Sequence, residues 1–158
     1  MSQSVTKTNL PRDSRLHSYI RPDDFLDCYQ VESALTAGDA AEVIVAFPGW
    51  AKALVALRGI LVAPFGLMND GPGESDKLGP FPVEHTSDRE VIAGFNDKHL
   101  DFRVSVYSAS GHVSLATWVH PHNIGGRAYL TAILPFHIVI ARNALARVAR
   151  ADGLAGVA

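Results

Sequence analysis

The chain has a single cysteine, Cys28, which excludes an intrachain disulfide and any cysteine-based metal cluster. No His and no helix start lies beside it in sequence, so it reads as an apolar filler rather than an activated thiol. Charge is scarce too: 19% of residues are charged, against roughly a quarter in ordinary soluble domains. The net charge is −2 and the isoelectric point is near 6.4, so nothing in the charge balance draws the chain to nucleic acid or an anionic membrane. Met1–Arg15 is polar and lacks the apolar core of a signal peptide. The longest uncharged apolar run, Ala128–Ala141, falls short of the roughly 20 residues that cross a bilayer. Stable membrane insertion is therefore not expected, and the expected location is cytoplasmic. Walker A, G-x-G-x-x-G, G-x-S-x-G and H-E-x-x-H patterns are all missing, which lowers the standing of nucleotide-dependent, hydrolase and zinc chemistry. No cofactor and no metal are expected.

What the chain holds is 158 residues, 47% of them hydrophobic, enough for one domain with a full core and too few for two. Residues 1–22 read as an extended arm, with Pro11 and Pro22 blocking regular structure. The domain follows over 23–152, with a short flexible tail over 153–158. Asp27–Val31 is a short strand. Asp39-Ala40-Ala41-Glu42 has the spacing of a capping box and predicts a short helix over about 40–47, ended by Pro48-Gly49. Trp50, Ala53, Leu54, Leu57 and Leu61 mark a second helix by their spacing. Residues 69–80 are rich in Gly, Pro, Asn and Asp and predict a loop. Phe81–His85 can supply one more strand.

The clearest pattern is alternation. Val91, Ala93 and Phe95, then Leu100, Phe102, Val104 and Val106, then Val113, Leu115, Thr117 and Val119 describe an antiparallel meander with one apolar face. A turn centred on Ala109-Ser110 pairs Val106 with Val113, Val104 with Leu115, and Phe102 with Thr117. A four-residue loop after Phe95 pairs it with Leu100, and Ala93 with Phe102. After Pro121 the period becomes helical. Ala128–Arg150 is a long helix with Tyr129, Ile133, Phe136, Ile140 and Ala144 on one face. Arg142, Arg147 and Arg150 decorate the end where cations suit the helix dipole, and Pro135 predicts a kink or two abutting segments.

Opposite the apolar stripe runs a polar one: His99, Asp101, Arg103, Ser105 and Tyr107. In the register above, His120 faces His99, Trp118 faces Asp101 and Tyr107 faces His112. Two readings stay open. The stripe is a concave face that binds a carboxylate-bearing ligand or performs acid/base chemistry, or it is the solvated outer face of a half-covered sheet. Trp118 argues against full exposure. His120-Pro121-His122, with His99 and Asp101, gathers metal-ligating residue types, but the spacing matches no metal motif. His137 lies inside the apolar C-terminal helix. It is a core histidine with one satisfied ring nitrogen or, if the helix closes over a cavity, a lining residue. Trp50, Phe65 and Phe136 read as core.

Five stretches in order resemble a bacterial family known as domain of unknown function 2867, over about residues 25–145. They are Phe47-Pro48-Gly49-Trp50 with Leu57-Arg58, Pro64-Phe65-Gly66-Leu67, His99-Leu100-Asp101-Phe102-Arg103, His120-Pro121-His122-Asn123, and Gly126-Arg127-Ala128-Tyr129-Leu130 running to Leu134-Pro135-Phe136-His137. The resemblance implies an α+β helix-grip fold similar to START and Bet v 1 domains. In that fold a curved antiparallel sheet wraps a long C-terminal helix, with two short helices after the first strand. The function it implies is binding of a small hydrophobic molecule, lipid-like, aromatic or polyketide-like, in a cavity between sheet and helix. Tyr129, Ile133, Phe136, His137 and Ile140 would line it from the helix, and Phe102 and Val104 from the sheet. Arg103, Asp101 and His99 would add polar recognition only if strand twist or a bulge brings them to the mouth. Two alternatives stand beside this reading. One is a cyclase- or hydratase-type enzyme using His137 or the His99–Asp101 pair as acid/base; the other is a structural module whose apolar surplus supports a homodimer. The family supplies no assigned catalytic residues.

Overall fold

Alternating β-branched and aromatic residues favour a pleated, half-buried surface, and the chain builds one sheet from them. A computed structural model describes residues 4–46, 49, 53, 77–78 and 81–157. Its strands are β1 (Thr6–Lys7), β2 (Phe25–Glu32), β3 (Lys77–Leu78), β4 (Phe81–Thr86), β5 (Glu90–Asn96), β6 (Leu100–Ala109) and β7 (His112–Pro121). Among the described residues they form a curved antiparallel sheet in the order β1-β2-β7-β6-β5-β4-β3. The additional strand expected at 81–85 is β4. The second helix expected around Trp50–Leu61, with Phe65, lies outside the described residues. So does most of the 69–80 loop, within which Lys77–Leu78 pairs with β4 as a short strand.

Both hairpins sit two residues away from the register that alternation suggests. Val106 pairs with Leu115, Val104 with Thr117, and Phe102 with Val119. The connection is the two-residue turn Ser110-Gly111, with φ of 54° and 77°; positive φ at both centres gives the twist that a tight hairpin needs. On the other side Phe95 pairs with Phe102 and Ala93 with Val104, closed by the Asp97 N–H on the Leu100 carbonyl at 2.9 Å. A shift of two leaves every side chain on its expected face, because the pleat repeats every two residues. Alternation sets the face, and turn chemistry sets the register. His120 therefore faces Asp101, Trp118 faces Arg103 and Tyr107 faces Ser114, instead of His99, Asp101 and His112.

Among the described residues, two helices cover the inner face: α1 (Ala37–Val45) and α2 (Ile124–Val157). Thr36, and not Asp39, caps α1; its side chain accepts the Asp39 N–H at 3.1 Å. Asp39 is instead the acidic residue of the first turn, where it complements the helix dipole. Helix α2 is continuous through Pro135 and runs to Val157, so residues 153–157, read from sequence as a tail, are helical. Its start is pressed against the β5–β6 loop: a Cβ at Gly126 would come within 2.1 Å of the His99 carbonyl oxygen. Near its far end, Arg147 donates to the carbonyls of Val43, Ile44 and Ala46, the last turn of α1, whose carbonyls lack helical partners.

The second half of α2 is true core. Ala141, Ala144, Leu145 and Val148 pack with Ala37, Ala40, Ala41 and Ile44 of α1 and with Tyr29, Val31, Val91, Val106, Val113 and Leu115 of the sheet. Each fully buried Leu or Val there contributes about 1.5–3 kcal/mol. The first half differs. Phe136 is 53% and Val139 56% exposed, so Phe136 is not a core residue. By length and composition alone, Ile124–Asp152 would cross a bilayer, a span the uncharged run by itself does not reach.

The N-terminal arm is ordered and covers the other face. β1 pairs with β2, Thr6 opposite Gln30. A 3-10 turn at Arg15–Ser18 is capped by Ser14, whose hydroxyl accepts the Leu16 N–H at 3.1 Å. The turn drops Leu16, fully buried, onto Cys28, Ala116 and Trp118, with Leu10, Tyr19 and Ile20 around it. Apolar layers thus lie on both sides of the sheet.

Candidate functional site

The polar stripe lies on this outer face, where Glu84 pairs Arg103 and Glu90 pairs Ser105, and the arm holds those two acids in turn. Glu90 is 2% exposed and accepts the Ser14 and Ser105 hydroxyls and the Arg15 N–H. A register shift between Val83 and His85 is a bulge, the kind of irregularity that re-aims a side chain, and Glu84 there meets Arg103 at 2.8 Å and the Tyr19 hydroxyl at 2.6 Å. The Arg103 guanidinium also donates to the Phe102 carbonyl and lies 5.3 Å from the Tyr19 ring centroid; its Nε has no acceptor. Asp24 accepts the Trp118 indole N–H at 2.7 Å and the Arg21 N–H at 2.8 Å, and its other oxygen pairs with His120. Asp101 pairs with His122 at 2.9 Å rather than with His99, whose Nδ1 lies 3.1 Å from the Asn123 amide.

The charges follow this pairing. Burial pushes Asp24 and Glu84 up, but hydrogen bonds from His120, Arg21 and Trp118 in one case, and from Arg103 and Tyr19 in the other, hold both below the ordinary carboxylate range. Burial and the neighbouring Glu84 raise Tyr19. The hydrogen bond to Asp101 raises His122, against a smaller effect of burial. Burial, with the adjacent Asp27 charge, pushes the Cys28 thiol up to about 12, which makes it inert. Along Arg103, Ser105 and Tyr107 the stripe is therefore buried, while His99 and Asp101 at its end are half-buried. A cleft of about 430 Å³ on this side is lined by Ser14, Arg15, Tyr19 and Glu84 among others, and Glu84 in it is already paired on both oxygens. Among the described residues, no group of three or more His, Cys, Asp or Glu could hold a metal.

The inner face is organised otherwise. Phe25, Asp27, Tyr29 and Val31 alternate along β2, opposite Val119, Thr117, Leu115 and Val113 of β7. Phe25 partners Val119, while Tyr29 and Val31 join the core, so Asp27 is an acid on an otherwise apolar stripe. Helix α2 rises 1.5 Å per residue and carries His137 across β2, where Nε2 meets Asp27 Oδ2 at 3.0 Å. The side chains are 23% and 6% exposed. The Phe25 ring stands edge-on to the imidazole, with centroids 6.3 Å apart. Asp27 Oδ1 is buried without a hydrogen-bond partner among the described residues. A buried acceptor left this way costs about 1–3 kcal/mol, and more when charged. The arrangement can hold an imidazole by one nitrogen and accept a further donor at Oδ1.

Of the residues expected to line a cavity, His137 sits on this pair and Tyr129, Ile133 and Ile140 are half-buried on the same helix, with Phe136 the most exposed of them. Phe102 belongs to an aromatic cluster with Phe95 and Phe81, at centroid distances of 4.8 and 5.3 Å. Val104 packs against the main core. Arg103 is on the opposite face, and neither twist nor the bulge carries it inward. Asp27 was not anticipated from sequence, although one signal pointed to it: an acid in phase with Tyr29 and Val31.

The sequence profile of the family described as protein of unknown function (DUF2867) matches residues 20–144, a span that includes both Asp27 and His137. No curated protein and no solved structure matches the chain significantly.

Proposed function

The chain belongs to the DUF2867 family, and we propose that it binds a small hydrophobic molecule, lipid-like, aromatic or polyketide-like, between the inner sheet face and the first half of α2. One observation carries this reading. The helix buries its apolar side chains over Ala141–Val148, whereas over Tyr129–Ile140 they are half-buried or exposed, above a sheet face on which β2 places the acid Asp27. Apolar surface around a few placed polar groups is the usual composition of a ligand site. Native mass spectrometry of the purified protein tests the reading: a co-purifying small molecule is the expected result. Consistently empty protein, with no rise in melting temperature across a panel of hydrophobic compounds, would overturn it.

A second reading, an enzyme of the cyclase or hydratase kind, is favoured by the Asp27–His137 contact. An acid that holds a base in place is the arrangement by which a histidine is oriented for proton transfer. With Nε2 on Asp27, the proton would move at Nδ1. The test is incubation of the protein with the molecule it carries: a mass change of one water that is abolished in His137→Gln supports catalysis, and an unchanged molecule supports binding alone.

A further inference from the structure

We infer that Asp27 Oδ1 reads a hydrogen-bond donor on the ligand, so that the inner site selects apolar alcohols or phenols over molecules of the same shape without a hydroxyl. This rests on the proposed binding between sheet and helix. The Asp27 side chain is 6% exposed, one oxygen is held by His137 Nε2 at 3.0 Å, and the other is buried with no donor among the described residues. Thr117, its neighbour across the ladder, does not supply one. Phe25 and the imidazole stand at right angles beside it, walls suited to a flat or chain-like apolar body.

The chemistry of the missing group is narrowed by what Asp27 already holds. A carboxylate oxygen accepts and does not donate, which excludes a carbonyl, ether or carboxylate as its partner. An ammonium would bring a full charge to a buried position, and it would compete with His137 for the same carboxylate at a large desolvation cost. A neutral hydroxyl meets the requirement in either protonation state of the imidazole. Such a site rejects an analogue lacking the hydroxyl strongly, because its own buried acceptor is then left unpaired. His137 acts here as a positioning residue, fixing the Asp27 rotamer from α2.

The experiment uses two probes of similar shape, 2-naphthol and 2-methylnaphthalene, titrated into the full chain at pH 7 and followed by calorimetry. The wild-type protein should bind 2-naphthol at least about tenfold more tightly, the effect of a hydrogen bond to a charged acceptor. Asp27→Leu should bring 2-naphthol down to the affinity of 2-methylnaphthalene while leaving the latter bound, which also reports an intact fold. Asp27→Asn, which keeps the shape and a weaker neutral acceptor, should reduce the preference and decides the matter if the Leu variant binds neither probe. Equal affinity of the wild type for both probes overturns the inference and leaves the binding reading standing. A preference undiminished in Asp27→Leu or Asp27→Asn also overturns it. No binding of either probe up to its solubility overturns the binding reading, and the inference with it.

Discussion

On the outer face of the sheet Glu90 is 2% exposed and accepts three hydrogen bonds; on the inner face Asp27 is 6% exposed and accepts one. Both are buried carboxylates in strands, and both meet a segment that crosses the sheet. The outer acids, Glu90, Glu84 and Asp24, have donors on both oxygens, supplied largely by the arm over Ser14–Arg21 and by β6 and β7. Asp27 has one oxygen without a donor among the described residues. Burying an acid is tolerable when its lone pairs are met, so the outer set reads as the fastening of a second layer. A group left half met in an otherwise consistent core is where local rules give way to function.

The comparison can be broken most severely at its packing. Leu16 and Leu145 are both fully buried, one on each side of the sheet. If the arm is a genuine second core, Leu16→Ala and Leu145→Ala should each destabilise by about 3 kcal/mol, roughly 6–12 °C in melting temperature for a chain of this size. A loss below about 1 kcal/mol at Leu16 would reduce the arm to a surface decoration. Next in size is Tyr19→Phe, which removes the hydroxyl from Glu84 and should cost about 1 kcal/mol, read by urea denaturation.

Acidity sharpens the comparison further. Asp24 and Glu84 are held below their ordinary range in the fold; their contribution is present above roughly pH 4 and drains away as pH falls through the lowered values. His122 is raised, so its pairing with Asp101 contributes below about pH 6.5 and is lost as pH rises through the raised value. Amide exchange in Tyr19–Asp24, corrected for intrinsic rates, should therefore accelerate on acidification before exchange in Tyr29–Val31 does. Equal pH profiles in the two segments would contradict this. The smallest effect concerns Cys28: with its thiol at about 12 and beneath Leu16, it should resist iodoacetamide at pH 8 in the native protein. Leu16→Ala should speed its labelling.

Much of this architecture was legible in the residues. The alternation from Val91 to Val119 gave the faces of three strands correctly, and only the turn chemistry of Ser110-Gly111 and the 97–100 loop was needed for the register. The long C-terminal helix followed from its period. Less legible was what covers the polar stripe: Ser14, Tyr19 and Asp24 lie in a segment with no periodicity, and their partners are 60 or more positions away in sequence, as with Ser14 and Glu90 at a separation of 76. Phe136 looked like core because its spacing matches Ile133 and Ile140, but spacing cannot say where a helix leaves its sheet. His137 drew notice as a polar residue in an apolar helix. Asp27 carried the same signal on β2 but in a short strand, where one polar residue stands out less.

On the proposed reading, the outer acids serve the fold and Asp27 serves a ligand. The melting temperatures of Glu90→Leu and Asp27→Leu, measured side by side on ligand-free protein, test it most directly. Glu90→Leu strands two hydroxyls and a backbone N–H, and the account predicts a loss of about 3 kcal/mol, or roughly 6–12 °C. Asp27→Leu removes a half-met buried acid and leaves only the His137 imidazole, 23% exposed and able to turn to water, so the expected change is under about 1 kcal/mol. A fall of comparable size at Asp27 would contradict the account and make that acid a structural fastening like Glu90.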